Sequence, residues 1–361
     1  MKSKMTADST RRATARQSNL ELMRIVLMLV IIAHHLVVNS GLIDAIAPGA
    51  FDAKTLFVVL FGMWGKAAIN AFVMITGYFM CTSQLTRRKM LKLLGTFYFW
   101  EITCDLLFIF AGRMSINECV MGLLYPITSI NKGFTASFLF MYLLIPFMNG
   151  MIDALDKCTM KRLLVLLAFV FVVVGTFVPS SAVFSEVGWY VFLYILAAYI
   201  RLYPPEWGAS YSRTAIAFVC GIVASVFSIV ILLLLGARLG WPVTRAYYLM
   251  IDSNKLMAFI AGVTCFLFFL NVNVKSSRGI NLVASSTFGV LLIHSGSNAV
   301  RRLIWGDLLN VVNAWGSMDL MQLALYCCFA VGLVFIVCSC MELIRQVLFG
   351  GYLLHKERFV K

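Results

Sequence analysis

The chain has 361 residues, of which 61% are hydrophobic and only 13% are charged. Soluble globular domains carry about 45–50% apolar and about 25% charged residues. This composition, with a mean hydropathy of +0.90, excludes a disordered protein, a small disulfide scaffold and an ordinary cytosolic enzyme. A net charge of +14 would suggest nucleic acid in a polar protein, but in an apolar chain it is first compared with the loop-charge bias of membrane proteins.

Apolar stretches long enough to cross about 30 Å of hydrocarbon, which takes about 20 residues, recur along the whole chain. None of them alternates like a barrel strand, so helices are the expected spanning elements. We therefore predict an all-α, polytopic integral membrane bundle of about ten transmembrane helices. The predicted spans are Leu20–Val38, Leu56–Met80, Leu91–Ala111, Phe134–Met151, Leu163–Val178, Val187–Ile200, Thr214–Leu235, Leu249–Leu270, Leu282–Val300 and Leu320–Met341.

Lysine and arginine are divided unevenly between the predicted loops. With the N-terminus inside, 20 of the 30 basic residues fall in cytoplasmic segments, nine fall in the opposite loops or helix ends, and Arg24 lies in the first span. This bias predicts that both termini are cytoplasmic and that the number of spans is even. We predict a basic cytoplasmic tail at 1–17, one membrane domain at 18–345 and a cytoplasmic C-terminal tail at 346–361. The positive charge is then mainly a topology signal, and nucleic acid is not needed to explain it.

The cysteines and histidines do not form a metal-binding pattern. Of the ten cysteines, eight fall in or at the edge of predicted spans, where a thiol behaves as a small apolar group. No Cys-x-x-Cys pair occurs and only four histidines are present, so we predict no metal and no redox site. The glycine patterns of phosphate-binding loops and Rossmann folds are also missing.

The first span, NLELMRIVLMLVIIAHHLVV, contains Glu21, Arg24, His34 and His35. Ionisable groups in hydrocarbon normally face a cavity or a partner because exposing them to lipid is costly. Arg24 and His35 are eleven positions apart, so both side chains project from nearly the same stripe, about 16 Å apart. Glu21 can pair with Arg24, whereas His34 points about 100° away. The pattern has two interpretations. The residues are an interfacial ion pair with histidines that pack in the core, or they are a general base and an anion-binding arginine on one stripe of the helix.

Polar residues in three other spans are further candidates. Asn70 and Thr76 lie in the second span, where small and amide residues are typical of close helix packing. Glu101 and Asp105 share one face of the third span, where they would repel each other, bind a cation or meet a basic residue. His294 lies in the ninth span, within STFGVLLIHSGSN. Each of these residues is weak evidence for a site when it is considered alone.

Taken together and in order, these segments resemble the acyltransferase-3 family of integral membrane O-acyltransferases. The run SNLELMRIVLMLVIIAHH resembles the family signature, with ten residues between Arg24 and His35. INAFVMITGYF resembles its second-span motif, with Asn70 where many members have Asp and Thr76 where most have Ser. TRRKMLKLLGTFYFW, FTASFLFMYLLIPFMN, FLYILAAYIRLYP and STFGVLLIHSGSN resemble later segments, the last one in the polysaccharide-modifying branch. Gly133-Phe134 stands where the family often has Trp-Phe.

The resemblance implies transfer of an acyl group, usually acetyl from cytoplasmic acetyl-CoA, to a hydroxyl of a cell-surface or lipid-linked carbohydrate. His35 would be the catalytic histidine, acting as a base or an acyl relay, and Arg24 would be a catalytic residue that binds the donor. Arg87, Arg88 and Lys89 would attract the CoA phosphates, although a basic loop also sets topology and contacts anionic lipid.

The remaining expectations follow from the same resemblance. Supporting or acceptor-side roles fall to Glu21, His34, Asn70, Thr76, Glu101 and His294. The expected partners are acyl-CoA, a carbohydrate or lipid-linked sugar and membrane lipid. No cofactor is expected to be bound permanently, and the expected location is the plasma membrane of a bacterium.

A multi-span transporter or flippase for a sugar-containing or lipid substrate is the alternative. Many spans with buried charges are typical of transporters, and Glu101, Asp105 and His294 could carry protons. No convincing inverted repeat relates the two halves of the chain. The lack of a repeat makes transport the weaker interpretation.

Overall fold

The computed structural model describes residues 18–178 and 184–355, and these fold almost entirely into helices. About 80% of the chain is helical and the described part contains no strand. The helices are α1 Ser18–Val38, α2 Ala53–Gly62, α3 Gly65–Met80, α4 Arg87–Phe110, α5 Ile116–Thr128, α6 Phe134–Ala154, α7 Lys157–Phe177, α8 Glu186–Leu202, α9 Tyr211–Leu239, α10 Leu256–Asn271, α11 Arg278–Ser285, α12 Thr287–Ser295, α13 Asn298–Arg301, α14 Val311–Ser317 and α15 Leu320–His355.

Seven helical segments in the described part are long and apolar enough to cross a membrane, with α2 and α3 forming one of them. An eighth becomes available if Arg278–Ser295 and Asn298–Ser317, which are bent by 87° at a short break, count as one span. The all-α, multi-pass architecture is therefore confirmed. Of the ten predicted spans, the sixth corresponds to α8 with 17 residues and the eighth to α10 with 16. The count of ten and the orientation of the termini stay predictions.

The predicted domain boundaries stay predictions. The last helix runs without a break from Leu320 to His355, across position 345, where the membrane domain is expected to end. The predicted tail at 1–17 lies outside the described residues, as do positions 356–361.

The first helix is the centre of the bundle. It contacts α2, α3, α10, α11, α12 and α15, and half of its apolar window is buried, compared with 22% for α7 and α9. The buried side chains of α1 include Met23, Leu27, Ile31 and Ile32. Because α1 is enclosed by other helices, its polar residues meet protein groups as well as lipid, which explains how a span can keep four ionisable residues.

Asn70 links three helices by its side-chain amide. Its nitrogen donates hydrogen bonds to the carbonyl oxygens of Ser253 (2.7 Å) and Ala258 (3.1 Å), and its oxygen accepts one from Trp189 Nε1 (2.8 Å). The residue is completely buried, and Gly262 of α10 packs directly against its Cβ. The structure therefore gives Asn70 a packing role between α3, α8 and α10.

We expect Asn70→Ala to destabilise the fold by at least about 2 kcal/mol, because it leaves the Ser253 carbonyl group and the buried indole N–H of Trp189 without the hydrogen bond from Asn70. The midpoint of thermal unfolding in detergent, followed with a dye that reacts with newly exposed cysteines, measures this effect. Ser228→Ala is the control, since among the described residues the Ser228 hydroxyl donates only to the carbonyl oxygen of Ser225 in its own helix. Equal midpoints for the two variants would contradict the packing role.

Candidate active site

A histidine pair lies where α1 meets α12. His35 Nδ1 is 2.9 Å from His294 Nε2, although the two residues are 259 positions apart in the sequence. His294 Nδ1 lies 2.6 Å from the carbonyl oxygen of Val290, one turn earlier on its own helix. His294 is fully buried and His35 is partly buried. The structure thus brings together two of the predicted site residues in one hydrogen-bonded chain.

This chain of hydrogen bonds defines which ring nitrogen carries each proton. A carbonyl oxygen only accepts, so His294 Nδ1 is the protonated nitrogen, and in a neutral ring Nε2 then holds a lone pair. That lone pair accepts the hydrogen bond from His35 Nδ1. In the neutral form of His35, Nε2 is consequently the basic nitrogen and is left available to take a proton. The pair therefore holds His35 in the tautomer that a general base requires.

His34 lies apart from this pair, as the helical spacing predicts. Its Nδ1 is 2.6 Å from the carbonyl oxygen of Gly62, at the junction of α2 and α3. Gly65 packs so closely on the ring that a Cβ at that position would overlap it. His34 therefore holds α1 against the α2–α3 junction, which is a structural role.

A cavity of about 150 Å³ extends along α1 from Arg24. The Arg24 side chain is 30% exposed and forms the predicted ion pair with Glu21, at 3.5 Å. The cavity wall is mostly apolar and aromatic, with hydroxyl groups from two threonines and one tyrosine. The lining residues are Arg24, Met28, Ile31, Phe72, Thr76, Leu93, Phe134, Phe138, Tyr142, Thr287, Phe288 and Leu291.

The cavity leads from the arginine towards the histidine pair. Arg24 and Ile31 both line it and are seven positions apart, so it follows α1 for about 10 Å. Ile31 lies one helical turn before His35, and Leu291 lies about one turn before His294 on α12. The cavity therefore runs from Arg24 along the stripe that the spacing predicts, and its lining ends about one helical turn short of the His35–His294 pair.

The Arg24 end of this cavity is called its mouth here, and the predicted basic loop starts the helix that contributes Leu93 to the cavity wall. Arg87 and Arg88 are exposed at the start of α4, and Leu93, a turn further on, lines the cavity beside Arg24. Lys89 Nζ instead donates hydrogen bonds to Ser83 Oγ (2.8 Å) and to the Gln84 carbonyl oxygen (3.0 Å). Its ammonium group therefore stabilises the α3–α4 turn as well as adding charge at the mouth.

Glu101 and Asp105 lie near the other end of α4, between α4 and α5. Oxygen atoms of both carboxylates converge on the face of Gly122 in α5. Asp105 is buried, and within the described residues its Oδ2 has no hydrogen-bond partner. Glu101 Oε2 also approaches Gly296, two residues after His294. Glu101 is therefore near the bend that follows His294, while Thr76 lines the cavity and Asn70 is in the helix packing.

Two neighbours of the site were not predicted. Arg301 donates from Nε and Nη2 to the carbonyl oxygen of Ser295, at 3.2 and 2.9 Å, and so stabilises the bend that follows His294. Tyr142 lines the cavity together with Phe134 and Phe138. The ring centroids of Phe134 and Phe138 are 5.5 Å apart, and those of Phe138 and Tyr142 are 6.1 Å apart. The spacing of four between these three aromatic residues in FTASFLFMY was the signal that would have identified this wall.

These features define a membrane protein with a charged cavity mouth and a histidine pair inside the helical bundle. The family model described as "Acyltransferase domain" matches residues 17–339, which is most of the chain, so the protein belongs to this acyltransferase-3 family. It is a multi-pass membrane acyltransferase. No curated protein and no solved structure matches the chain. The family assignment confirms the predicted resemblance and gives no support to the transporter alternative.

Proposed function

We propose that the protein transfers an acetyl group from acetyl-CoA to a hydroxyl group of a cell-surface or lipid-linked carbohydrate. The observation that carries this proposal is the cavity that runs from Arg24 towards the His35–His294 pair. Arg24 lines the cavity, its wall is mostly apolar, and the positioned base lies about one helical turn beyond its last lining residues. An acyl-CoA molecule needs the same order of contacts, because its phosphates, its extended arm and its thioester follow one another along the molecule.

The donor is proposed to enter at the predicted cytoplasmic end. The guanidinium of Arg24 suits bidentate hydrogen bonding to a phosphate or a carbonyl group. The exposed Arg87 and Arg88 raise the local concentration of an anionic donor. Beyond them, the aromatic wall formed by Phe134, Phe138 and Phe288 suits the methylene-rich arm of CoA.

The reaction is a direct acyl transfer in which His35 acts as the base. Its Nε2 removes the proton from the acceptor hydroxyl while the oxygen attacks the thioester carbonyl carbon. The tetrahedral intermediate then collapses, the carbon–sulfur bond breaks, and the thiolate leaves as free CoA after receiving that proton. His294 Nε2 accepts the hydrogen bond from His35 Nδ1 throughout the reaction. This hydrogen bond stabilises the positive charge that develops on the His35 ring.

The acceptor is proposed to approach from the opposite, extracytoplasmic end, in the plasma membrane of a bacterium. His35 lies near the end of α1 at Val38, and Glu101 comes close to the bend after His294. Carboxylate oxygens accept hydrogen bonds from hydroxyl groups. Glu101 therefore provides a contact suited to a sugar acceptor.

The donor half of the proposal is tested with purified protein and labelled acetyl-CoA. We expect saturable binding with slow hydrolysis, and we expect Arg24→Leu to weaken binding by about 10-fold or more, since a hydrogen bond to a charged group contributes about 1.5–3 kcal/mol. Arg162→Leu removes an exposed arginine of α7 and serves as the control. It should leave the dissociation constant unchanged.

The acceptor half is tested on cells that produce the protein and on cells that lack it. Mass spectrometry of their surface glycans should show the loss of one acetyl group per modified unit in the second strain. An absence of acetyl-CoA binding in the purified protein would contradict the proposed donor, whereas unchanged glycans with normal binding would contradict only the proposed acceptor.

A further inference from the structure

Two aliphatic side chains line the cavity at its end nearest the histidine pair. Ile31 of α1 and Leu291 of α12 both line it, and they are only 3% and 6% exposed. Ile31 lies four positions before His35, and Leu291 lies three positions before His294. At a rise of about 1.5 Å per residue, each side chain stands about one helical turn short of the histidine pair. An acyl group that travels along the cavity to His35 therefore passes these two side chains.

The helix that carries Leu291 is held in place by a buried polar cluster. Glu342 of α15 accepts hydrogen bonds from Trp100 Nε1 at 2.7 Å and from Arg345 Nη2 at 2.6 Å. Gly289 of α12 packs directly against the Glu342 side chain, with no room for a Cβ. A satisfied, buried network of this kind is rigid. The backbone of α12 at Leu291 is therefore held against α15.

Ile31 is restrained for a different reason. A β-branched side chain in a helix has one strongly preferred rotamer, and α1 is enclosed by six neighbouring helices. The packing of α1 and α12 consequently sets the backbone positions from which both side chains reach the cavity.

We infer that Ile31 and Leu291 form a size filter that admits a two-carbon acyl group to His35 and excludes longer acyl groups. The inference rests on the proposed function, because it assumes that the acyl thioester travels along this cavity. The filter selects the donor by steric exclusion, since a wall of stiff aliphatic residues does not accommodate extra methylene groups. The two residues determine specificity and take no part in the proton transfer.

The test compares acetyl-, propionyl- and butyryl-CoA as donors for the full-length protein and four alanine variants. Leu291→Ala is paired with Leu292→Ala, a neighbouring buried leucine that does not line the cavity. Ile31→Ala is paired with Val30→Ala, which lies in a separate apolar groove between α1, α3, α9 and α10. The measured quantity is the ratio of kcat/KM for butyryl-CoA to that for acetyl-CoA.

We expect Leu291→Ala and Ile31→Ala to raise this ratio by about 10-fold or more, because one methylene in an apolar pocket changes specificity by about 10–200-fold. The two paired variants should keep the ratio of the parent protein. If Leu291→Ala does not fold, Leu291→Val gives the same comparison with a smaller change in volume. Leu291→Phe should act in the opposite direction and slow acetyl transfer.

Two results would overturn the filter while leaving the proposed function intact. One is a parent protein that uses butyryl-CoA as well as acetyl-CoA. The other is a ratio that changes equally in Leu291→Ala and Leu292→Ala, which would indicate general loosening of α12. If the parent protein uses no acyl-CoA of any length, the proposed function itself fails and the filter fails with it.

Discussion

Replacement of His35 by asparagine is expected to lower acyl transfer by about 10²–10⁴-fold, the range that a positioned general base contributes. Asparagine keeps an N–H donor near the position of Nδ1, so the hydrogen bond to His294 Nε2, now 2.9 Å long, can persist. What the variant lacks is the second ring nitrogen and its lone pair. The loss of acyl-transfer activity therefore measures the contribution of the general base and not that of the packing of α1 against α12.

The control for this prediction is the adjacent histidine. His34→Asn makes the same chemical change one residue away and also keeps a donor for the Gly62 carbonyl oxygen. We expect it to retain most of the activity. Both variants should still bind acetyl-CoA, because neither residue lines the cavity beside Arg24. Retention of more than about a tenth of the activity by His35→Asn would contradict the catalytic role.

The sequence was sufficient to predict features that depend on one helix. The apolar runs predict helices, and the spacing of Arg24 and His35 predicts one shared stripe because the periodicity of a helix is fixed. The Glu21–Arg24 ion pair is also local, and the structure contains it. The divergence of His34 follows from the same geometry. In each case the residues concerned lie on the same helix, so its fixed geometry determines their relative direction.

Features that depend on contacts between helices could not be predicted in this way. The pairing of His35 with His294 joins residues 259 positions apart, and nothing in the local pattern of either helix specifies the other. Asn70 is similar: its amide fits a packing role or an acceptor-side role until Trp189 and Ser253 are placed around it. Side-chain hydrogen bonds between distant helices are defined only by the assembled core.

The apolar composition of the ninth predicted span also gave no indication of a break in the helix. The ninth predicted span has the apolar content of a straight helix, yet an 87° bend follows His294. Hydropathy measures transfer into lipid and carries no information on direction. The Ser-Gly-Ser sequence at 295–297 is the local signal of a break, because Gly and Ser destabilise a helix interior. Arg301 then stabilises the bend through the Ser295 carbonyl oxygen, a role that loop charge alone does not suggest.

Replacement of His294 by phenylalanine is expected to lower kcat by about 10²–10⁴-fold, although His294 does not contact the acceptor in the proposed reaction. Phenylalanine fills the buried space but cannot accept the hydrogen bond from His35 Nδ1. The His35 proton is then free to move to Nε2, which leaves the base in the wrong tautomer. In a serine protease triad, loss of the tautomer-setting group lowers kcat by about 10⁴-fold, which places the expected effect in the same range.

Rescue by glutamine distinguishes this positioning role from simple packing. In His294→Gln the side-chain oxygen can accept from His35 Nδ1 in place of His294 Nε2, so we expect its kcat to lie within about 10-fold of that of the parent protein. A packing role predicts the opposite order, because phenylalanine suits a buried apolar site better than glutamine does. The KM for acetyl-CoA should stay constant in both variants, since His294 does not line the donor cavity. Equal activity of the phenylalanine and parent proteins would show that the tautomer of His35 does not depend on His294, and ¹⁵N shifts of labelled His35 would report that tautomer independently of turnover.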